Sequence, residues 1–220
     1  TLEGSKKPWN AHYHLAGLKD VLPQAVADVK QFGLKADSPK KVCIFATLHY
    51  WIEQAGLVAL ALIGQGHQVE LAYLPYAEWD KPISDFDLRK QHLYSQQILK
   101  PAGEVMSITP LLDSDSLKAN LSDYPIELAE IARQVSDYDT QYTLQVEETD
   151  CNSALYQLRL ARNSQAAMAL FDWLVAKQPD VLILPNGTIL EMGVAYQIAR
   201  LLGIRTVTFE FADQRERIWL

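Results

Sequence analysis

Residues 180–210 read DVLILPNGTILEMGVAYQIARLLGIRTVTFE. An apolar run ends at Pro185-Asn186-Gly187, with Thr188 next; a helical pattern follows, and a second apolar run stops at the acid Glu210. Asn186 brings a donor and an acceptor. Gly187 permits positive φ and close backbone approach. The helix start beyond them offers unbonded N–H groups to an anion or a hydroxyl. The same residues also suit a tight strand-to-helix turn with Thr188 as N-cap. An acid where Glu210 stands either points into a cleft or caps a neighbouring helix. A second candidate is His49, which follows another apolar run. Imidazole titrates near neutrality, so His49 is a general-base candidate, with Glu53 four residues on to orient it. An exposed or capping histidine is the other reading. Asp80, Asp85 and Asp87 are scattered in a polar segment and read as solvating groups rather than metal ligands. Asn186-Gly187-Thr188 also fits a glycosylation sequon, which is set aside for a chain read as cytoplasmic.

These residues need a scaffold, and the hydropathy pattern supplies one. Residues 42–47 read as a buried strand, 51–64 as a helix and 68–75 as a second strand. That is a β-α-β unit, whose strands are parallel with a right-handed crossover. The segment 180–210 forms another. Residues 104–112 give a further strand. Helices are expected over 15–32, 88–100, 125–136 and 152–178. In the first, Leu18, Val21, Leu22, Ala25, Val26 and Val29 recur with helical period. Pro23 marks a kink or the helix's true first turn, and Gly33 ends it. In the last, Asn152 or Ser153 is the N-cap, and Arg159, Arg162 and Asn163 fall on its more polar side. Residues 137–150 fit a loop or an edge strand. The expected fold is α/β: a three-layer Rossmann-like domain around a parallel sheet over residues 40–220, preceded by an arm and helix over 1–39. In such a sheet, ligands sit at the carboxyl ends of the strands. That rule selects residues 47–53, 74–79, 185–191 and 210 onward. Tyr50 and Glu191 join His49, Glu53, Asn186, Gly187, Thr188 and Glu210 as candidates.

Composition excludes several classes. The 220 residues carry a net charge of −7, with no dense Lys/Arg track, so nucleic acid is not an expected partner. No apolar run reaches the ~18–20 residues of a membrane span. The N-terminus lacks an initiator Met and has no signal-peptide core, so a trimmed, cytoplasmic chain is expected. The two cysteines, Cys43 in a strand and Cys151 in a polar turn, make no disulfide framework or metal motif. Dinucleotide, P-loop, zinc-protease and serine-hydrolase signatures are absent.

Two stretches carry a family resemblance. KKVCIFATLHYWIEQAGLVALALIGQGHQVELAYLP resembles the opening of GT-B glycosyltransferases through Glu53, Gly56, Ala59, Leu62, Gly66, His67 and Val69. Residues 179–220 resemble capsular-polysaccharide-type members through Asn186, Gly187, Glu210 and Arg217. The first loop, TLHYWIEQ, departs from the Gly-rich form common there. The resemblance spans residues 40–75 and 150–220. It implies the N-terminal, acceptor-side half of a two-domain enzyme of bacterial polysaccharide or glycoconjugate synthesis. A nucleotide sugar would be the donor, held mostly by a C-terminal domain beyond Leu220, and a sugar or glycan the acceptor. The run RERIWL would lead into that domain. It further implies His49 as base, and Tyr50, Glu53, Asn186, Gly187, Thr188, Glu191 and Glu210 as substrate contacts. No metal and no permanent cofactor are implied, and peripheral membrane contact is left open. The rival reading is a self-contained flavodoxin-like or Rossmann-like module that binds a small ligand without catalysis, and a scaffold domain is a third.

Overall fold

In a computed structural model, residues 13–113, 119–211 and 218–219 are described. The elements run α1 (Ala16–Phe32), β1 (Lys41–Thr47), α2 (His49–Gly64), β2 (Gln68–Leu74), α3 (Asp85–Leu99), β3 (Ser107–Pro110), α4 (Ile126–Leu144), α5 (Ala154–Lys177), β4 (Val181–Pro185), α6 (Leu190–Leu201), β5 (Arg205–Phe211) and β6 (Ile218–Trp219). The strand order is β3-β2-β1-β4-β5-β6. The first five strands are parallel, and β6 pairs antiparallel with β5. Helices flank the sheet in a three-layer, Rossmann-like α/β fold. Right-handed crossovers put α2 and α3 on one face and α4, α5 and α6 on the other. The contacts agree: α1 packs on α2 and α3, while α4, α5 and α6 pack together. From β1 the chain winds outward through β2 to β3. From β4 it winds the other way. The switch point therefore lies between β1 and β4.

Both faces of the central strands are covered, so β1 is buried from Val42 to Thr47. The helix ends follow local chemistry. Ser84 caps α3 by accepting from the Asp87 N–H (3.1 Å), which places Asp85 and Asp87 in a first turn. Ser153 caps α5 through the Tyr156 N–H (3.3 Å). Pro23 sits within α1, which continues through it. Gly33 ends α1 with φ −57° rather than in the left-handed region.

One segment differs from the sequence reading. Residues 137–144 are helical and extend α4 well past 136. The amphipathic signal is hidden because polar residues face inward. Ser136 Oγ donates to the Ala132 carbonyl (2.6 Å) and Thr140 Oγ1 to that of Ser136 (2.9 Å). Such back-bonding satisfies buried hydroxyls within their own helix.

Among the described residues, no helix is long and apolar enough to cross a membrane. Glu70 of β2 ties the sheet to α5. It accepts from Thr109 Oγ1 (2.8 Å) and Trp173 Nε1 (2.7 Å), and it pairs with Lys177 Nζ (2.7 Å). Burial alone would raise this carboxyl. Lys177, Trp173 and Thr109 overcome burial and hold it below its ordinary value of 4.5. A depressed native value contributes stability that is full above the unfolded value and fades as pH falls through the native one. Glu70→Gln is expected to cost about 1.5–3 kcal/mol at pH 7. The gap to the parent chain should shrink at pH 3. Urea unfolding at both pH values checks this, and an equal gap at the two would contradict it.

Candidate functional site

The carboxyl ends of β1, β4 and β5 open into a cleft of about 270 Å³. Each wall comes from a different element. Tyr50 and Trp51 stand in the first turn of α2. Trp79 comes from the loop after β2. Asp139, Tyr142 and Thr143 come from the end of α4. Asn186, Ile189, Leu190 and Met192 come from the start of α6, and Glu210 from β5. Among the described residues, four lining side chains are aromatic and two are acids, while none is Lys, Arg or His. Trp51 meets Phe209 edge to face at 5.7 Å, which fixes its ring.

Leu48, at φ 64° and ψ 142°, carries the chain from β1 into α2. That backbone is nearly glycine-only, and its buried side chain helps hold it in place. The β4–α6 connection is equally constrained. Asn186 (φ 55°), Gly187 (φ 91°) and Leu190 (φ 58°) all lie in the left-handed region. A Cβ on Gly187 would stand 2.7 Å from Thr208 Cγ2, so the position also requires glycine sterically.

The N-cap position of α6 is Ile189, not Thr188 as the sequence reading had it, and Asn186 closes the turn ahead of it. Its Oδ1 accepts from the Thr188 N–H (2.8 Å) and the Ile189 N–H (3.2 Å), and its Nδ2 donates to Glu210 Oε1. Thr188 is therefore not the cap, and α6 starts two residues later. The Leu190 N–H donates to Asp139 Oδ1 (2.6 Å). The N–H groups of Thr188, Ile189 and Leu190, expected to be open for an anion, are thus bonded within the protein.

Beneath the cleft lies a buried polar network centred on Arg159. Arg159 Nε donates to Asp139 Oδ2 (2.9 Å), Nη1 to the Trp79 carbonyl (3.1 Å), and Nη2 to Asn163 Oδ1 (3.1 Å) and Glu191 Oε1 (3.0 Å). Asn163 Nδ2 adds a bond to Asp139 Oδ2 (3.0 Å). Burial disfavours a charged guanidinium, but Glu191 and Asp139 outweigh it and hold Arg159 above its ordinary value. Arg159, Asn163 and Glu191 have almost no exposure, and Arg162 is also buried. The side of α5 read as polar is thus an interior face, on which Arg159 is paired with Asp139 and Glu191.

The remaining candidates fall as follows. Glu191 faces Arg159, not the cleft. Glu53 Oε1 accepts from the Gly17 N–H (2.9 Å) and the Leu18 N–H (3.4 Å), so it caps α1. His49 is the first residue of α2. Its ring packs among Tyr13 (5.8 Å), His14 (5.1 Å) and Tyr50 (5.1 Å), behind the cleft wall. Tyr50, Asn186 and Glu210 do meet in the cleft. Burial, and in smaller measure Glu210, push the Tyr50 phenol up. Arg217 lies outside the described residues. Asp139, Arg159, Arg162 and Trp79 are the residues the sequence reading missed. The available signal was Arg159, Arg162 and Asn163 at one-turn spacing on a helix otherwise rich in Ala and Leu.

No protein-family model matches this chain, and no curated protein does. Among solved structures it is similar to a cyclodipeptide synthase from Fluoribacter dumoffii. The TM-score is 0.50 at 16% identity, covering 83% of this chain and 92% of that one. It also overlaps pantothenate synthetase from Thermus thermophilus (TM-score 0.41, 12% identity), covering 87% of this chain and 62% of that one. At such identity the likeness to the synthase is one of fold. The cyclodipeptide synthase is not a glycosyltransferase, and this likeness overturns the GT-B resemblance together with the acceptor-binding function drawn from it. The alternative, a small-ligand module without catalysis, gains no support from this likeness. Packing explains the misleading residues. Glu53 caps α1, Gly56 makes room for Leu18, Gly66 takes φ 88°, and His67 Nδ1 accepts from the Lys40 N–H (3.3 Å).

Replacing Arg159 strands Asp139 and Glu191 as buried charges. Arg159→Met is expected to cost about 3–5 kcal/mol of stability in chemical unfolding. A cost below ~1 kcal/mol, the range of exposed ion pairs, would contradict a buried hub.

Proposed function

We propose that this chain is an enzyme that binds an amino-acid-sized amine in the switch-point cleft and directs its nitrogen to an acyl donor, forming an amide. The observation that carries the reading is the cleft's composition. Aromatic side chains line the cleft together with the Glu210 carboxylate, and among the described residues no cationic side chain does. Ammonium groups are attracted both to aromatic faces and to a carboxylate. An anionic ligand is disfavoured at the β4–α6 turn, because the N–H groups of Thr188, Ile189 and Leu190 are already bonded to Asn186 and Asp139. The fold adds support, since a cyclodipeptide synthase shares it.

Glu210 has two roles in this reading. It pairs with the ammonium and takes one of its protons, which frees the nitrogen lone pair to form the C–N bond, and the second N–H proton passes to the leaving group. The acyl group's leaving group departs with the electrons of the broken bond. General-base assistance of this kind contributes about 10²–10⁴ in rate. Asn186, bonded to the same carboxylate, fixes its orientation. Tyr50, Trp51, Trp79 and Tyr142 enclose the side chain of the amine.

Titration calorimetry with L-phenylalaninamide and with N-acetyl-L-phenylalanine tests the reading. The amide should bind and the carboxylate should not. Glu210→Gln should weaken amide binding at least about tenfold, as expected for loss of a charge-assisted contact. Tighter binding of the carboxylate, or equal affinity in Glu210→Gln, would overturn it.

A further inference from the structure

We propose that Arg162 is a positioning residue that sets the Trp79 wall of the cleft by holding the backbone of residues 78–81 from behind. The proposal rests on the amine-binding reading of that cleft. Arg162 Nη1 donates to the Glu78 carbonyl (2.8 Å) and to the Trp79 carbonyl (3.4 Å), and Nη2 donates to the Lys81 carbonyl (2.8 Å). Its guanidinium stacks on Tyr76 at 4.3 Å, just upstream in the same loop. One planar group thereby fixes three carbonyls and a ring on the connection between β2 and α3.

Trp79 is where the restraint meets the cleft. Its carbonyl accepts from both Arg159 Nη1 and Arg162 Nη1, while its side chain forms a cleft wall. The two arginines stand one turn apart on α5 and so share a face. Loops with solvated backbones are ordinarily mobile and variable. Here the carbonyls point inward onto fixed donors, so the position of the indole is inherited from α5. Arg162 itself does not line the cleft. It therefore acts on the ligand through Trp79, and not by contact. A lysine in its place keeps the charge and loses the planar fork that spans separate acceptors.

The test is a double-mutant cycle on the full chain, read by calorimetry with L-phenylalaninamide. Arg162→Lys should weaken binding about tenfold, the size expected for charge-assisted hydrogen bonds that no longer hold the wall. In a Trp79→Phe background the same change should add less than about twofold, because interacting residues are non-additive. A full tenfold loss in that background, or parental binding by Arg162→Lys, would overturn the proposal. If the parent chain does not bind the amide, the amine reading fails, and the positioning role is read from Trp79 emission. That emission, taken as the difference from Trp79→Phe, should shift to longer wavelength in Arg162→Lys, and no shift would overturn the role. Should Arg162→Lys not fold, Tyr76→Leu removes the ring beneath the guanidinium and carries the same measurements.

Discussion

The guanidinium of Arg159 is the constraint on which the cleft depends. It has no exposed surface, so each donor must find a partner inside the protein. Its partners come from α4, α5, α6 and the loop after β2. Buried charges of one sign require charges of the other, and Asp139 and Glu191 supply them. Asp139 in turn bonds the Leu190 N–H, where the backbone enters α6 at positive φ. One ion cluster thus fixes the start of α6, the end of α4 and the Trp79 loop relative to each other. A hydrophobic interface of similar size would leave those elements freer to slide.

The chemistry of the opening follows from how the cluster uses its groups. The Asp139 carboxylate and the Asn186 amide take up the N–H groups of Thr188, Ile189 and Leu190 at the entry to α6. What faces the opening is a set of aromatic rings and the Glu210 carboxylate. A Rossmann-like sheet commonly presents a helix N-terminus to a phosphate at this place. Here the turn into α6 has its N–H groups bonded by Asn186, which sits in a left-handed turn, and by an acid reaching across from α4.

Much of this was legible in the chain. Apolar runs broken by turn residues gave the parallel strands, and the carboxyl-end rule placed Asn186 and Glu210 at one opening. Strand register makes them neighbours, because Pro185 pairs with Phe209. The partners of those residues were not legible. Asp139 lies in a stretch whose inward-facing polar residues erase the helical period. Arg159 and Arg162 look like a solvated side of a helix until a third layer covers them. The fate of the α6 N–H groups depends on a carboxylate 51 residues away in sequence. Glu53, Gly56 and His67 form a family-like pattern for reasons of capping and packing alone. Local pattern reports which element a residue joins, while tertiary neighbours decide whether a charge there binds a ligand or another side chain.

The account stands most directly on where an amine settles. A crystal structure of the chain soaked with L-phenylalaninamide measures this without assuming turnover. The account predicts the ammonium within hydrogen-bond distance of the Glu210 carboxylate, with the phenyl ring between Trp51 and Trp79. An amine bound elsewhere, or one whose carbonyl rather than ammonium faces Glu210, would contradict it.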